Sequence, residues 1–158
     1  MENYAEKLEK LKKKYAEECK NTLIPEFKKI FDKYPQVKFF AWTQYSPHFN
    51  DGDECIFSAN IDNYSLYING VDGDGACDEY AMASSIDLNI PQNIRDEITK
   101  EICNITNNIG NEILEYMFGN HVKVTVYPNK IETENYTDHD WEYKLWFHVQ
   151  KWQAEIML

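Results

Sequence analysis

Lysine and arginine are absent between Lys38 and Arg95, a stretch that nevertheless carries nine carboxylates: Asp51, Asp53, Glu54, Asp62, Asp72, Asp74, Asp78, Glu79 and Asp87. Like charges without counter-charges repel, so such a stretch calls for water, a cation or a basic partner facing it. Bases are scarce in the rest of the chain too. Residues 1–33 hold nine lysines and seven acids, whereas seven basic residues face twenty acids beyond them, within a formal net charge of −11. A nucleic-acid groove needs clustered cations to displace counterions, so direct nucleic-acid binding is disfavoured, and the same repulsion argues against an anionic membrane surface. None of the four cysteines, Cys19, Cys55, Cys77 and Cys103, forms a C-x-x-C pair, which removes the usual spacing of a zinc site. A charged helix rather than a signal peptide opens the sequence, so free thiols in a reducing cytoplasm are expected. No apolar run approaches the ~20 residues of a bilayer span. Nor is there a G-x-S-x-G, P-loop or H-E-x-x-H pattern, and the chain reads as a binding protein more readily than as an enzyme.

What is present suits one domain over residues 1–158, because 43% hydrophobic and 15% aromatic content can build a core without covalent staples. In the helical segment 1–34, Tyr4, Leu8, Leu11, Tyr15, Cys19 and Leu23 recur every three or four positions. Pro25 is expected to stop or kink this helix, with Phe27, Ile30, Phe31 and Tyr34 continuing its apolar face to Pro35. Residues 37–152 then read as a sheet with an inserted helix over 91–118. Val37–Tyr45, Cys55–Ile61 and Tyr64–Asn69 are the first strands, and Met82–Leu88 a short fourth. Gly70–Glu79 reads as an acidic loop; it fails the calcium-loop template at Ala76, Cys77 and Ala83. Pro91 opens the second long helix, and an isoleucine stripe from Ile94 to Ile113 marks one continuous face up to Gly119. Strands follow at His121–Tyr127, Ile131–Tyr136 and Trp141–Trp152. Hairpin-linked strands imply an α+β fold, a two-layer sandwich in which an antiparallel sheet carries two long helices on one face.

The densest polar and aromatic cluster is Trp42-Thr43-Gln44-Tyr45-Ser46-Pro47-His48-Phe49-Asn50-Asp51-Gly52-Asp53-Glu54-Cys55. It resembles the W-T-Q-Y-x-P-x-F-N-D-G-D-x-C segment of a family of small uncharacterised tailed-phage proteins. Similar in position are the strand Ile56–Ala59, the acidic insert Asp72–Glu79, the helix end Phe118-Gly119, the strand Val122–Val126 and the pair His139-Asp140. The likeness runs from Phe39 to Asp140; it departs at His48, where the family commonly has an aromatic, and in the Trp-rich extension beyond Asp140. The resemblance implies a source and a fold rather than an activity.

Three uses suit this cluster and the acid around it. An acidic face, with Trp42, Gln44, Tyr45, His48, Asn50, Asp51, Asp53, Glu54, His139 and Asp140 as binding residues, would engage the basic surface of a host defence or regulatory protein, capturing it by long-range attraction. Alternatively, Asp51, Asp53, His139 and Asp140 would hold a divalent cation that activates water for hydrolysis, Gly52 letting two carboxylates on alternate positions aim at one ion. The competing reading is that Asn50, Asp51 and Gly52 merely form a hairpin turn and that Asp53 and Glu54 bond local amides. Third, Trp42, Gln44, Tyr45 and the C-terminal aromatics would sequester a nucleotide signal, although aromatic stripes on strands are usually core. His48, His121 and His148 are isolated, as packed or capping histidines are, while His139 between Asp138 and Asp140 favours its protonated form. No cofactor other than a divalent cation is implied. The basic run Lys12–Lys14 is as expected of a solvated helix side, and the N-terminal helix is a candidate surface for self-association.

Overall fold

The computed structural model describes residues 3–47, 52, 55–71 and 90–136. Helix α1 spans Tyr4–Lys33, strand β1 Phe40–Tyr45, β2 Ser58–Ala59, β3 Tyr67–Ile68, helix α2 Gln92–Ile109, α3 Asn111–Phe118, and strands β4 and β5 Val122–Tyr127 and Lys130–Asn135. The fold is α+β, with the helices on one face of an open, wholly antiparallel five-stranded sheet. Strands expected at Met82–Leu88 and Trp141–Trp152 lie outside the described residues.

Strand β1 is the centre of the sheet, and its alternation sets the two layers. Phe40, Trp42 and Gln44 project to the helix side in register with Val126, Val124 and Val122 of β4. Phe27 and Phe31 of α1 meet them there: Phe27 packs edge-on to Phe40 at 5.1 Å and Phe31 stacks on it at 5.4 Å. Trp42 is flanked by Phe27 and by Phe118 of α3. Leu23, Ile98, Ile102 and Leu114 close the same core. On the opposite side of β1, Ala41 and Thr43 are buried as well.

Two helix expectations are corrected. Pro25 does not stop α1, which continues past it to Lys33. Its missing N–H and the ring's clash with the preceding turn are local costs. Leu23, Phe27, Ile30 and Phe31, all buried on one face, outweigh them. Asn3 caps the start of the helix, its Oδ1 accepting from Glu6 N at 2.8 Å. Conversely, the second long helix is two helices. Gly110 sits at φ 88°, ψ 155°, a conformation essentially confined to glycine, and ends α2 while opening α3. The isoleucine stripe read through this break because its period survives a one-residue change of direction.

The strands are shorter than the pattern implied. β1 starts at Phe40 because the amides of Lys38 and Phe39 donate to the Asn69 side chain instead of to a neighbouring strand. Asn69 and Gly70, at φ 53° and 83°, form the tight two-residue turn that asparagine-glycine pairs favour, returning the chain at Val71. His121 takes φ 56° and so lies outside β4.

Candidate binding edge of the sheet

β1 is paired along Phe40–Gln44 with β4, so β2 and β3, which pair with Gln44–Tyr45 and Phe40–Ala41, share its other side. Among the described residues that side is one edge of the sheet, β5 being the other, and both base-free acidic segments join the chain next to it in sequence. Residues 48–54 connect β1 to β2, and residues 72–89 run from Val71, at the β3 turn, to α2. Arg95, the first base after Lys38, is buried in α2, and its guanidinium donates to the carbonyls of Leu66 and Val71. The departure of residues 72–89 is thereby fixed close to the helix they rejoin. Between β2 and β3, Asp62 accepts from the amides of Tyr64 and Ser65 at 2.8 Å each, a local turn of the kind aspartate favours. Asn60 tethers the same loop to Thr43. The turn lifts Tyr64 into solvent at 69% exposure, and Ile56 is 65% exposed just before β2. An edge with two exposed apolar side chains, on a segment flanked in sequence by acidic runs, has the composition of an interface.

Of the sequence-derived site residues, Trp42, Gln44 and Tyr45 are described; His48, Asn50, Asp51, Asp53, Glu54, His139 and Asp140 lie outside the described residues. Trp42 and Gln44 are fully enclosed, and their polar atoms are spent internally. Trp42 Nε1 donates to Gln44 Oε1 at 3.0 Å, and Gln44 Nε2 donates to the carbonyls of Leu114 and Gly119 at 3.0 and 2.8 Å. The pair ties the sheet centre to the C-terminal turn of α3, whose last carbonyls have no partner within the helix. Its role is architectural, so a ligand pocket that includes both side chains has no opening at this point. Gln44 alternates into the core by strand period alone, and nothing in the pattern announced a buried amide.

Tyr45 stands at the far end of β1, half-buried, its ring 6.5 Å from His121 and 5.6 Å from Tyr136. Two consecutive residues organise this end of the sheet. Asn120 Oδ1 accepts from Ser46 N, and its Nδ2 donates to Ser46 Oγ, both at 2.9 Å. His121 O accepts from Tyr136 N at 2.7 Å. The chain therefore enters residues 48–54 and 137–140 from adjacent points. Asn120, His121 and Tyr136 were missed as organising residues by sequence reasoning; the only signal was the position of His121 directly after a helix-ending glycine pair with asparagine. Among the described residues no group of three or more His, Cys, Asp and Glu side chains is placed to hold a metal ion.

Five of the described carboxylates elsewhere are met by lysines: Glu26 by Lys29, Glu101 by Lys33, Glu112 by Lys12, Glu132 by Lys130 and Glu134 by Lys123. Such pairs raise the Lys12, Lys33 and Lys130 ammonium groups above their ordinary pKa, chiefly through the hydrogen bond to the glutamate. Of the nine acids between Lys38 and Arg95 only Asp62 is described, and its charge, after burial, adds to the upward shift of the Cys103 thiol. No described helix is long and apolar enough to cross a membrane. The chain matches no protein-family model, no curated protein and no solved structure.

Proposed function

We propose that this chain is a binding protein, not a catalyst, that engages a basic protein surface along the β2/β3 edge. The observation that carries the reading is the attachment of the base-free acidic run to one edge of the sheet, beside the exposed Ile56 and Tyr64. Opposite charge accelerates encounter and selects orientation, while desolvated apolar anchors supply the residence time. The likeness to tailed-phage proteins gives the partner a context, the defence or regulatory machinery of a bacterial host, with inhibition as the outcome and the host cytoplasm as the place. A photo-crosslinking side chain at position 64 tests this in host extract. A basic protein should be captured there, less as salt rises and less when Asp72, Asp74, Asp78 and Glu79 are neutralised to Asn or Gln. The same crosslinker at position 28, on exposed α1, is the control. Equal capture at both positions, or capture indifferent to salt, refutes the reading.

One observation favours a second reading, divalent-cation chemistry by Asp51, Asp53, His139 and Asp140. Ser46 and Tyr136, from which the segments bearing these residues depart, are both held by Asn120 and His121. A cation bound there would stabilise the native state by mass action. Mn²⁺ or Mg²⁺ should then raise Tm, and Asp53→Asn should remove the increase; no increase with either ion retires this reading. The nucleotide-sequestering alternative is weaker, because two of its residues, Trp42 and Gln44, are enclosed.

A further inference from the structure

Helix α1 carries two apolar faces, and among the described residues only one packs into the core. Ala16, Leu23, Phe27 and Ile30 point into the core. Tyr4, Leu8, Leu11 and Tyr15, at exposures of 93%, 51%, 56% and 48%, form a separate stripe. At 3.6 residues per turn this stripe lies roughly 100° around the axis from the core face and is about 17 Å long. Among the described residues no element packs on it. The side of this helix half that meets α3 is already occupied by polar contacts, Lys12 to Glu112 and Tyr116 Oη to Glu9, with Ala16 beneath them.

The spacing of four, three and four residues is that of a coiled-coil seam, two apolar positions per heptad. A strict two-per-heptad stripe is the narrow seam of a helix–helix contact, narrower than the ~100° face of a helix packed on a core. Its next positions, Glu18 and Thr22, end it. Charge then selects the occupant. The exposed Lys7 and Lys14 border the seam on one side, while Lys12, on the other, is already paired with Glu112. A second copy of the chain would set Lys7 against Lys14 in an antiparallel pair, with no carboxylate at the flanking positions to meet either. We infer that the N-terminal half of α1 is a second docking surface, opposite in sign to the sheet edge, whose occupant is an amphipathic helix of another protein with carboxylates flanking its apolar seam.

The probes are two synthetic three-heptad peptides with leucine at every a and d position, one bearing glutamate at every e and g position and the other lysine. Anisotropy is read with the full chain at physiological salt, where a screening length of about 8 Å lets the lysines flanking the seam outweigh the distant net charge. The glutamate peptide should bind at least tenfold more tightly than the lysine peptide. Leu8→Ser with Leu11→Ser should weaken it at least tenfold while leaving Tm unchanged, both side chains being exposed. Lys7→Glu with Lys14→Glu should invert the preference between peptides, a readout that damage to the fold could not produce. Equal affinities, or a preference that survives the charge inversion, overturn the inference. So does self-association of the chain, or its adsorption to phosphatidylglycerol vesicles, when Leu8→Ser with Leu11→Ser abolishes it, since the seam would then belong to a second copy or to lipid.

Discussion

Replacing Gln44 by leucine removes an amide enclosed beside Trp42 without changing the volume greatly, and the structure sets the cost. Trp42 Nε1 loses its acceptor, and the carbonyls of Gly119 and Leu114 each lose a donor. Leu114 lies within α3 and retains the reach of the following turn, so Trp42 Nε1 and Gly119 O are the groups left stranded. A buried polar group left without a partner costs about 1–3 kcal/mol, and a leucine returns part of this as apolar contact, so the net loss is about 2–4 kcal/mol. Against a typical domain stability of about 5–15 kcal/mol that is large, and at this chain length it corresponds to a fall in Tm of roughly 5–12 °C. Urea unfolding monitored by tryptophan fluorescence measures it directly. A double-mutant cycle sharpens the test: in a Trp42→Phe background the indole donor is gone, so Gln44→Leu should cost at least 1 kcal/mol less there than in the wild type, on the order of one buried group's penalty. A loss under about 0.5 kcal/mol for Gln44→Leu, or strict additivity in the cycle, would refute the assignment of Trp42 and Gln44 to the architecture and return them to the list of ligand-binding candidates.

Other outcomes follow from the same geometry. Gly110→Ala places a Cβ in open space, so its cost is backbone strain alone, about 1–3 kcal/mol in denaturant titration; a neutral result would mean that the break between α2 and α3 is not held at this residue. Pro25→Ala should stabilise the protein by roughly 1–3 kcal/mol, because an exposed interior proline is replaced by the best helix former; a loss of stability would contradict the continuous α1. A colorimetric thiol assay at pH 8 should find Cys55, which is exposed, reacting well before Cys103, whose thiol is raised by burial and by the Asp62 charge and donates to Ile61 O at 3.2 Å; the reverse order would place the β2–β3 loop wrongly. Lys12, Lys33 and Cys103 all have folded pKa values raised above their ordinary ones, so their contribution is complete at neutral pH and is lost as alkali titrates them. Tm should therefore hold from pH 7 to about 9 and fall beyond it, the ordinary thiol value being 9.0; a rise above pH 9 would contradict the signs.

Period-two alternation in β1 and β4 and the three-to-four spacing in the helices were legible because each reflects burial on one face. Phe40, Trp42, Val122, Val124 and Val126 are the residues such a pattern selects. Helix limits were less legible. Pro25 is a breaker by local energetics and is overruled by long-range packing, while Gly110 acts through a backbone conformation that a surviving isoleucine period conceals. Periodicity also cannot say which apolar stripe is covered: Tyr4, Leu8, Leu11 and Tyr15 have the spacing of a core face and are exposed. The candidate edge was legible as charge, since the gap between Lys38 and Arg95 is plain in the sequence. Its apolar anchors were not, because Ile56 looks like a strand residue and Tyr64 owes its exposure to a turn made by Asp62.

In the proposed mode of binding, a basic partner meets the β2/β3 edge and not the acid of the whole surface. Backbone amide shifts during titration with an arginine-rich peptide measure this most directly. Changes should concentrate in residues 55–71 and fade as salt is added, while the amides around Glu97, Glu101, Glu115 and Glu132, acids of the other elements, stay still. Shifts spread evenly over those glutamates, with no preference for the edge, would contradict the account.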